Sequence, residues 1–281
     1  MDAQPVTARP VSRGRLRMAV GKEYFTARRH IAWLWARDLR ARHRELGNAI
    51  VQFRHASPIL RELRDVDMAL QRNKATNLRL ASARLDGLVL APGEVLSFWR
   101  EIGRPTRRKG YLKGMILVSG TVQSGIGGGL CQLSNLLYWM TVHTPLTVVE
   151  RHRHNYDVFP DASRVVPFGG GATCFYNYGD LVLRNDTVRP FRLQIGIEGE
   201  ELVGCWLSTV APEYTYEVYE KSHIIRVEEW GGYTRHNLLF RRVYNQAGAQ
   251  MGEEFVVENH AIMMYSPLLP PGSGEGATQR G

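Results

Sequence analysis

The apolar residues of this 281-residue chain change their spacing near residue 145, and that change limits the fold more than any single motif. Before it, Leu70, Leu78, Ala81 and Leu85, and then Leu133, Leu136, Leu137 and Met140, fall at helical spacing. After it they alternate, so that Phe191, Leu193, Ile195 and Ile197 share one face of a strand. The pattern predicts an α+β fold, a helical N-terminal half packed on a largely antiparallel β-rich C-terminal half.

Helices are predicted from Lys22 to Leu46, from Ala69 to Asp86 with Gly87 as the stop, and from Leu130 to about Thr141. In the first, Tyr24, Ala27, Ile31, Leu34 and Trp35 fall near one face. The run "LVLAPGEVLSFW" reads as strand, Pro92-Gly93 turn, then strand or short helix, and "MILVSGTV" as a buried strand feeding a glycine loop. "LTVVERHRHNYDV" alternates as a strand does, three short strands follow between Asp180 and Ser208, and Gln246-Ala247-Gly248 marks a final hairpin. The domain organisation that results is a disordered basic arm (1–20), a helical region (21–68), an α+β domain (69–265) and a Gly/Pro-rich disordered tail (266–281).

Charge is unevenly placed. Residues 1–44 hold eleven Lys or Arg against three Asp or Glu, and the rest of the chain is close to neutral. The body therefore gives no broad electrostatic case for nucleic acid, whereas the arm suits peripheral contact with an anionic membrane. Residues 1–20 contain no apolar run of seven or more, and three cysteines without a CxxC pair suit a reducing compartment, so a cytoplasmic protein is expected. No cofactor fingerprint is found, and no metal site is expected, because the histidine cluster lacks an evident third ligand.

The stretch "SGIGGGLCQLSNLLY" places Cys131 where four glycines in five residues give way to a helix. At a helix N-terminus a thiol meets free backbone N–H groups and the positive end of the dipole, which favour the thiolate and supply oxyanion donors. Cys131 is then a nucleophile, with His152 or His154 from "ERHRHN" as base and Glu150 as its orienter, all three on one strand face. The competing reading makes Cys131 a small core residue at a crowded loop-to-helix turn and the histidines part of a solvated strand. Cys174 and Cys205 fall in strand-like contexts as small hydrophobes, and His260 precedes a strand as a turn or capping residue.

The segments "NLRLASARLDGLVLAPGEVLSFW", "SGIGGGLCQLSNLLYWMTVHTPLTVVERHRHN" and "GATCFYNYGDLVLRNDT" resemble the VanW family across residues 73–210, and "ENHAIMMY" is similar in style. The resemblance implies an accessory role in glycopeptide (vancomycin and teicoplanin) resistance or cell-wall metabolism. Its ligand would be a cell-wall precursor or peptide-like small molecule, and its action either cysteine-dependent hydrolysis or transfer, or binding without catalysis. It carries Gly127, Gly128, Gly129, Cys131, Gln132, Arg151 and His154 over as the functional surface. One departure is Gly171 in "GAT", where the family usually shows an aspartate.

Overall fold

A computed structural model describes residues 14–35, 40–60, 68–118, 120–158 and 166–267. The expected disorder of residues 1–13 and of the tail from 268 lies outside them. In chain order the elements are α1 (Arg15–Trp35), β1 (Arg42–His43), β2 (Ile50–Pro58), α2 (Met68–Leu85), β3 (Leu88–Leu90), β4 (Val95–Ser97), α3 (Phe98–Ile102), β5 (Lys113–Val118), β6 (Thr121–Ile126), α4 (Cys131–Val142), β7 (Thr147–Glu150), β8 (Tyr156–Asp157), β9 (Val182–Arg184), β10 (Phe191–Glu198), β11 (Glu201–Ser208), β12 (Tyr214–Val227), β13 (Tyr233–Asn245) and β14 (Gln250–Met263).

The fold is α+β, and every described helix precedes residue 143. Its largest sheet, in the order β1-β3-β10-β11-β2, is antiparallel and takes strands from both halves of the chain. Helices α2 and α4 pack on it. Leu78, Ala81 and Leu85 of α2 and Leu133, Leu137 and Met140 of α4 are fully buried, as are Leu193 and Trp206 of the sheet. Burial of such a side chain contributes roughly 1.5–3 kcal/mol, so these two stripes define the core. Trp206 also donates its indole N–H to Thr141 Oγ1 at 3.2 Å, which satisfies the polar edge of an otherwise apolar contact.

A second sheet, β12-β13-β14-β8, is antiparallel except where β8 joins β14 in parallel. The short sheet β4-β9-β7 carries the loops of the candidate site, and the β5–β6 hairpin leads into α4. No described helix is long and apolar enough to cross a membrane.

Several expectations need correction. The first helix begins at Arg15, within the segment expected to be disordered, and Ile50–Pro58 is a strand of the large sheet rather than part of a helical region. The expected apolar face of α1 points outward, with Leu34 84% and Trp35 81% exposed, while Thr26, Arg29 and Trp33 face the body. "MILVSGTV" forms two strands of a half-exposed hairpin instead of one buried strand. The predicted strand "LTVVERHRHNYDV" ends at Glu150, and His260 lies inside β14.

Candidate functional site

The glycine loop is held by close backbone packing. A Cβ on Gly128 would stand 2.1 Å from the Gly114 carbonyl carbon, and one on Gly129 would stand 2.1 Å from Lys74 Cγ. Gly127 and Gly129 also adopt φ of 75° and 93°, which L side chains rarely tolerate. Asn77, fully buried on α2, clamps the loop: its amide donates to Gly128 O (2.9 Å) and Leu112 O (3.0 Å), and its carbonyl accepts from Leu112 N (2.8 Å). The glycines thus let α4 start against α2 and β5.

Cys131 opens α4, as expected, but the adjacent N–H groups are already used. Gln132 N bonds to Gly129 O, and Leu133 N and Ser134 N both bond to Leu130 O. The half-buried Cys131 directs its thiol at the Cys174 carbonyl, 3.9 Å away. Burial pushes this thiol up from its ordinary value, and backbone contacts at Cys174 and Cys131 offset only part of the effect. Burial likewise raises the Cys174 thiol, which lies in a loop rather than a strand, and the neighbouring Cys131 adds to the rise. No histidine hydrogen-bonds to Cys131 among the described residues.

The other residues carried over by resemblance have partners within the fold. Gln132 donates to Ser57 Oγ (2.9 Å) and Pro58 O (2.9 Å), joining α4 to β2. Arg151 donates to Gly171 O (2.8 Å), Gly169 O (2.5 Å) and Asn259 Oδ1 (3.1 Å), with its guanidinium 4.8 Å from the centre of the Tyr138 ring. His154 packs edge-on against Phe175, 5.4 Å between centroids, and burial lowers its pKa, with Arg153 adding to the shift. His143 stacks on Phe53 and lies 2.8 Å from Trp139 O through Nδ1; burial, above all, holds its pKa at about 4. Gly171 sits against Asn135, whose Oδ1 would be 2.4 Å from an added Cβ, so an aspartate there requires Asn135 to move.

The charged chemistry collects around a different loop, 174–180, where Asp180 meets Glu150 and His152 at the end of β7 and Arg29 of α1. Glu150 Oε1 lies 2.8 Å from His152 Nε2 and accepts the Asp180 N–H at 3.1 Å. Arg29 of α1 grips both Glu150 oxygens, at 2.6 and 2.5 Å. Burial alone raises the Glu150 carboxyl, but hydrogen bonds from His152 and Arg29, together with the Arg29 charge, bring it down to about 2. Asp180 is fully buried, accepts from Ser97 Oγ (2.5 Å) and Trp99 N (3.0 Å), and burial pushes it up to about 6 against those bonds. Asn177, also fully buried, has neither side-chain polar atom hydrogen-bonded. Of this cluster the sequence indicated Glu150 and His152; Arg29, Ser97, Asn177 and Asp180 were missed. Arg29 is one of eleven basic residues in its region, and its partner is 121 positions away.

A cavity of about 160 Å³ opens elsewhere, on the face of the large sheet that points away from α4, lined by Arg54, Asp86, Gln194 and Cys205 among others. Among the described residues no group of three or more His, Cys, Asp or Glu is arranged to hold a metal ion.

The glycine loop, α4, β7 and the acidic loop all fall within residues 73–207, which match the family model described as VanW like protein. This stretch of the chain is a VanW-family region. Over 166 residues, 59% of this chain and 60% of the relative, the protein is 36% identical to the vancomycin B-type resistance protein VanW of Enterococcus faecalis. It is 30% identical over 132 residues, 47% of this chain and 42% of the relative, to the uncharacterized protein YoaR of Bacillus subtilis. The chain thus spans less than two thirds of either relative. No solved structure matches it.

Proposed function

We propose that this protein is a VanW-like accessory of glycopeptide resistance or cell-wall metabolism that acts by binding a wall precursor or other peptide-like molecule, without thiol catalysis at Cys131. The observation that carries this reading is the state of the thiol: raised by burial, bonded to a carbonyl, and without a hydrogen-bonded imidazole. A nucleophilic cysteine needs the opposite, a lowered pKa and a base within about 2.6–3.2 Å. The name of the Enterococcus relative supports the resistance setting. The proposal keeps the cytoplasmic location, supported by three unpaired cysteines, and a membrane-surface contact through α1, where Leu16, Tyr24, Ile31 and Trp35 stand exposed among arginines.

A second reading, cysteine-dependent hydrolysis or transfer, draws support from one feature. His152 is held by Glu150 as a base is held by its orienter, and its carbonyl bonds to Thr173 N, next to Cys174. Calorimetric titration with a soluble muramoyl-pentapeptide, followed by mass spectrometry of the ligand, separates the two. Saturable binding that survives Cys131→Ser with the ligand intact is expected. Absence of binding refutes the first reading, and turnover that disappears with Cys131→Ser establishes the second.

A further inference from the structure

Helix α1 is attached to the body in an unusual way. An amphipathic helix that serves only as structure buries its apolar stripe, yet Leu16, Tyr24, Ile31, Leu34 and Trp35 are all exposed. The face turned inward is held largely by polar contacts. Thr26 Oγ1 meets the Asn177 N–H at 3.4 Å, His30 Nε2 lies 3.2 Å from the Tyr176 hydroxyl, and Trp33 O accepts from Arg100 at 3.2 Å. Between them Arg29 delivers its guanidinium to Glu150 in a two-pronged grip.

The receiving site resembles a receptor for a cation. Glu150 is only 25% exposed and Arg29 21%, so the pair lies at the rim, within reach of a competing ligand once α1 moves. The carboxylate is ionised throughout the neutral range, and losing Arg29 without replacement leaves a half-buried anion with only His152 and the Asp180 N–H bonded to it. A second carboxyl, Asp180, lies directly behind it, with a hydroxyl and backbone N–H groups as its hydrogen-bond donors. Asn177 supplies an independent sign: a fully buried amide at the α1 contact whose acceptor and donors are both unused. Such groups are rare in folded proteins because each costs about 1–3 kcal/mol, and each calls for a partner beyond the protein's own hydrogen bonds.

We propose that Glu150, flanked by His152 and the Asp180 N–H, with Asn177 nearby at the α1 contact, binds the cationic end of a ligand, an ammonium or guanidinium group on a peptide-like molecule, and that Arg29 is the chain's own occupant of this site. A ligand cation displaces Arg29, α1 lifts against the packing of Trp33 on the core, and the Asn177 amide becomes available as a second recognition group. The proposal rests on the binding reading above and adds the charge of the ligand and the position of its seat.

The test uses acetyl-L-arginine methylamide and its neutral isostere acetyl-L-citrulline methylamide as probes, titrated into the full chain. Neither probe carries wall-precursor structure, so this experiment and the precursor titration fail separately. Freeing the site with Arg29→Gln should tighten binding of the arginine probe at least about tenfold, as expected when a competitor holds the site more than nine tenths of the time. Adding Glu150→Gln should abolish the gain, and the citrulline probe should not bind. In the unaltered protein, the arginine probe should accelerate chymotrypsin cleavage within residues 15–35 while the citrulline probe leaves it unchanged. That measurement stands even if a variant fails to fold. Equal affinity of folded Arg29→Gln and the unaltered protein, binding that persists without the Glu150 charge, or cleavage that responds alike to both probes overturns the proposal.

Discussion

The glycine–cysteine segment 125–132 and the acidic loop 174–180 with its partners meet near the start of α4, yet they carry different duties. In the first, each conspicuous residue is committed to packing: Gly128 touches the backbone of Gly114, Gln132 ties α4 to β2, and the helix-start N–H groups bond to Gly129 and Leu130. In the second, the side chains gather charge in a partly buried site, with an ionised Glu150, a buried Asp180 and an unbonded Asn177. A motif that names a family can therefore be its scaffold, while on the binding proposal the recognition chemistry sits where two other family-like segments, "ERHRHN" and "GATCFYNYGD", come together.

The sharpest way to break this contrast is to perturb the scaffold. Gly128→Ala should destabilise the protein by about 3 kcal/mol or more in urea unfolding, because the added methyl overlaps backbone that cannot turn aside. The matching change Gly252→Ala, where nothing lies within 4 Å of the new methyl, should stay within about 0.5 kcal/mol. Similar losses for both would mean that the loop is not closely packed.

On the other side of the comparison, Asp180→Asn should show a cost that depends on pH. The folded pKa of Asp180, about 6, is raised above the ordinary carboxyl value of 3.8, so the folded state retains a proton that the unfolded state releases between these values. Stability from this group is complete below pH 4 and declines as pH rises through 6. The buried shift corresponds to an effect on the order of 3 kcal/mol. His143 acts in the opposite sense, since its lowered pKa makes stability rise between about pH 4 and 6.5. The observable is therefore the difference between the two proteins: Asp180→Asn should gain on the unaltered chain from pH 4 to 6. A difference independent of pH would contradict the buried, protonatable Asp180.

Periodicity made the core legible. The stripes of α2 and α4 and the alternation along β10 are local, repeated and apolar, so a few residues suffice to reveal them. The site was less so, because its geometry depends on events without a period. The β7 pairing shifts register between Val148 and Glu150 and the strand stops at Glu150, so Glu150, His152 and His154 do not share a strand face. Arg29 reaches Glu150 across 121 positions, and Asn77 reaches Gly128 across 51. Neither pairing leaves a trace in spacing. The outward turn of the apolar residues of α1 follows from the same contact, since Arg29 docks the helix by its polar side.

The measurement that bears most directly on the division between scaffold and recognition loop is the pH profile of Cys131 alkylation by iodoacetamide, resolved by peptide mass spectrometry. At pH 7 Cys131 should react more slowly than free cysteine, with an apparent pKa above the ordinary thiol value, because burial disfavours its thiolate. Alkylation faster than free cysteine at pH 7, with an apparent pKa below the ordinary value, would show an activated thiolate and contradict the assignment of Cys131 to the scaffold.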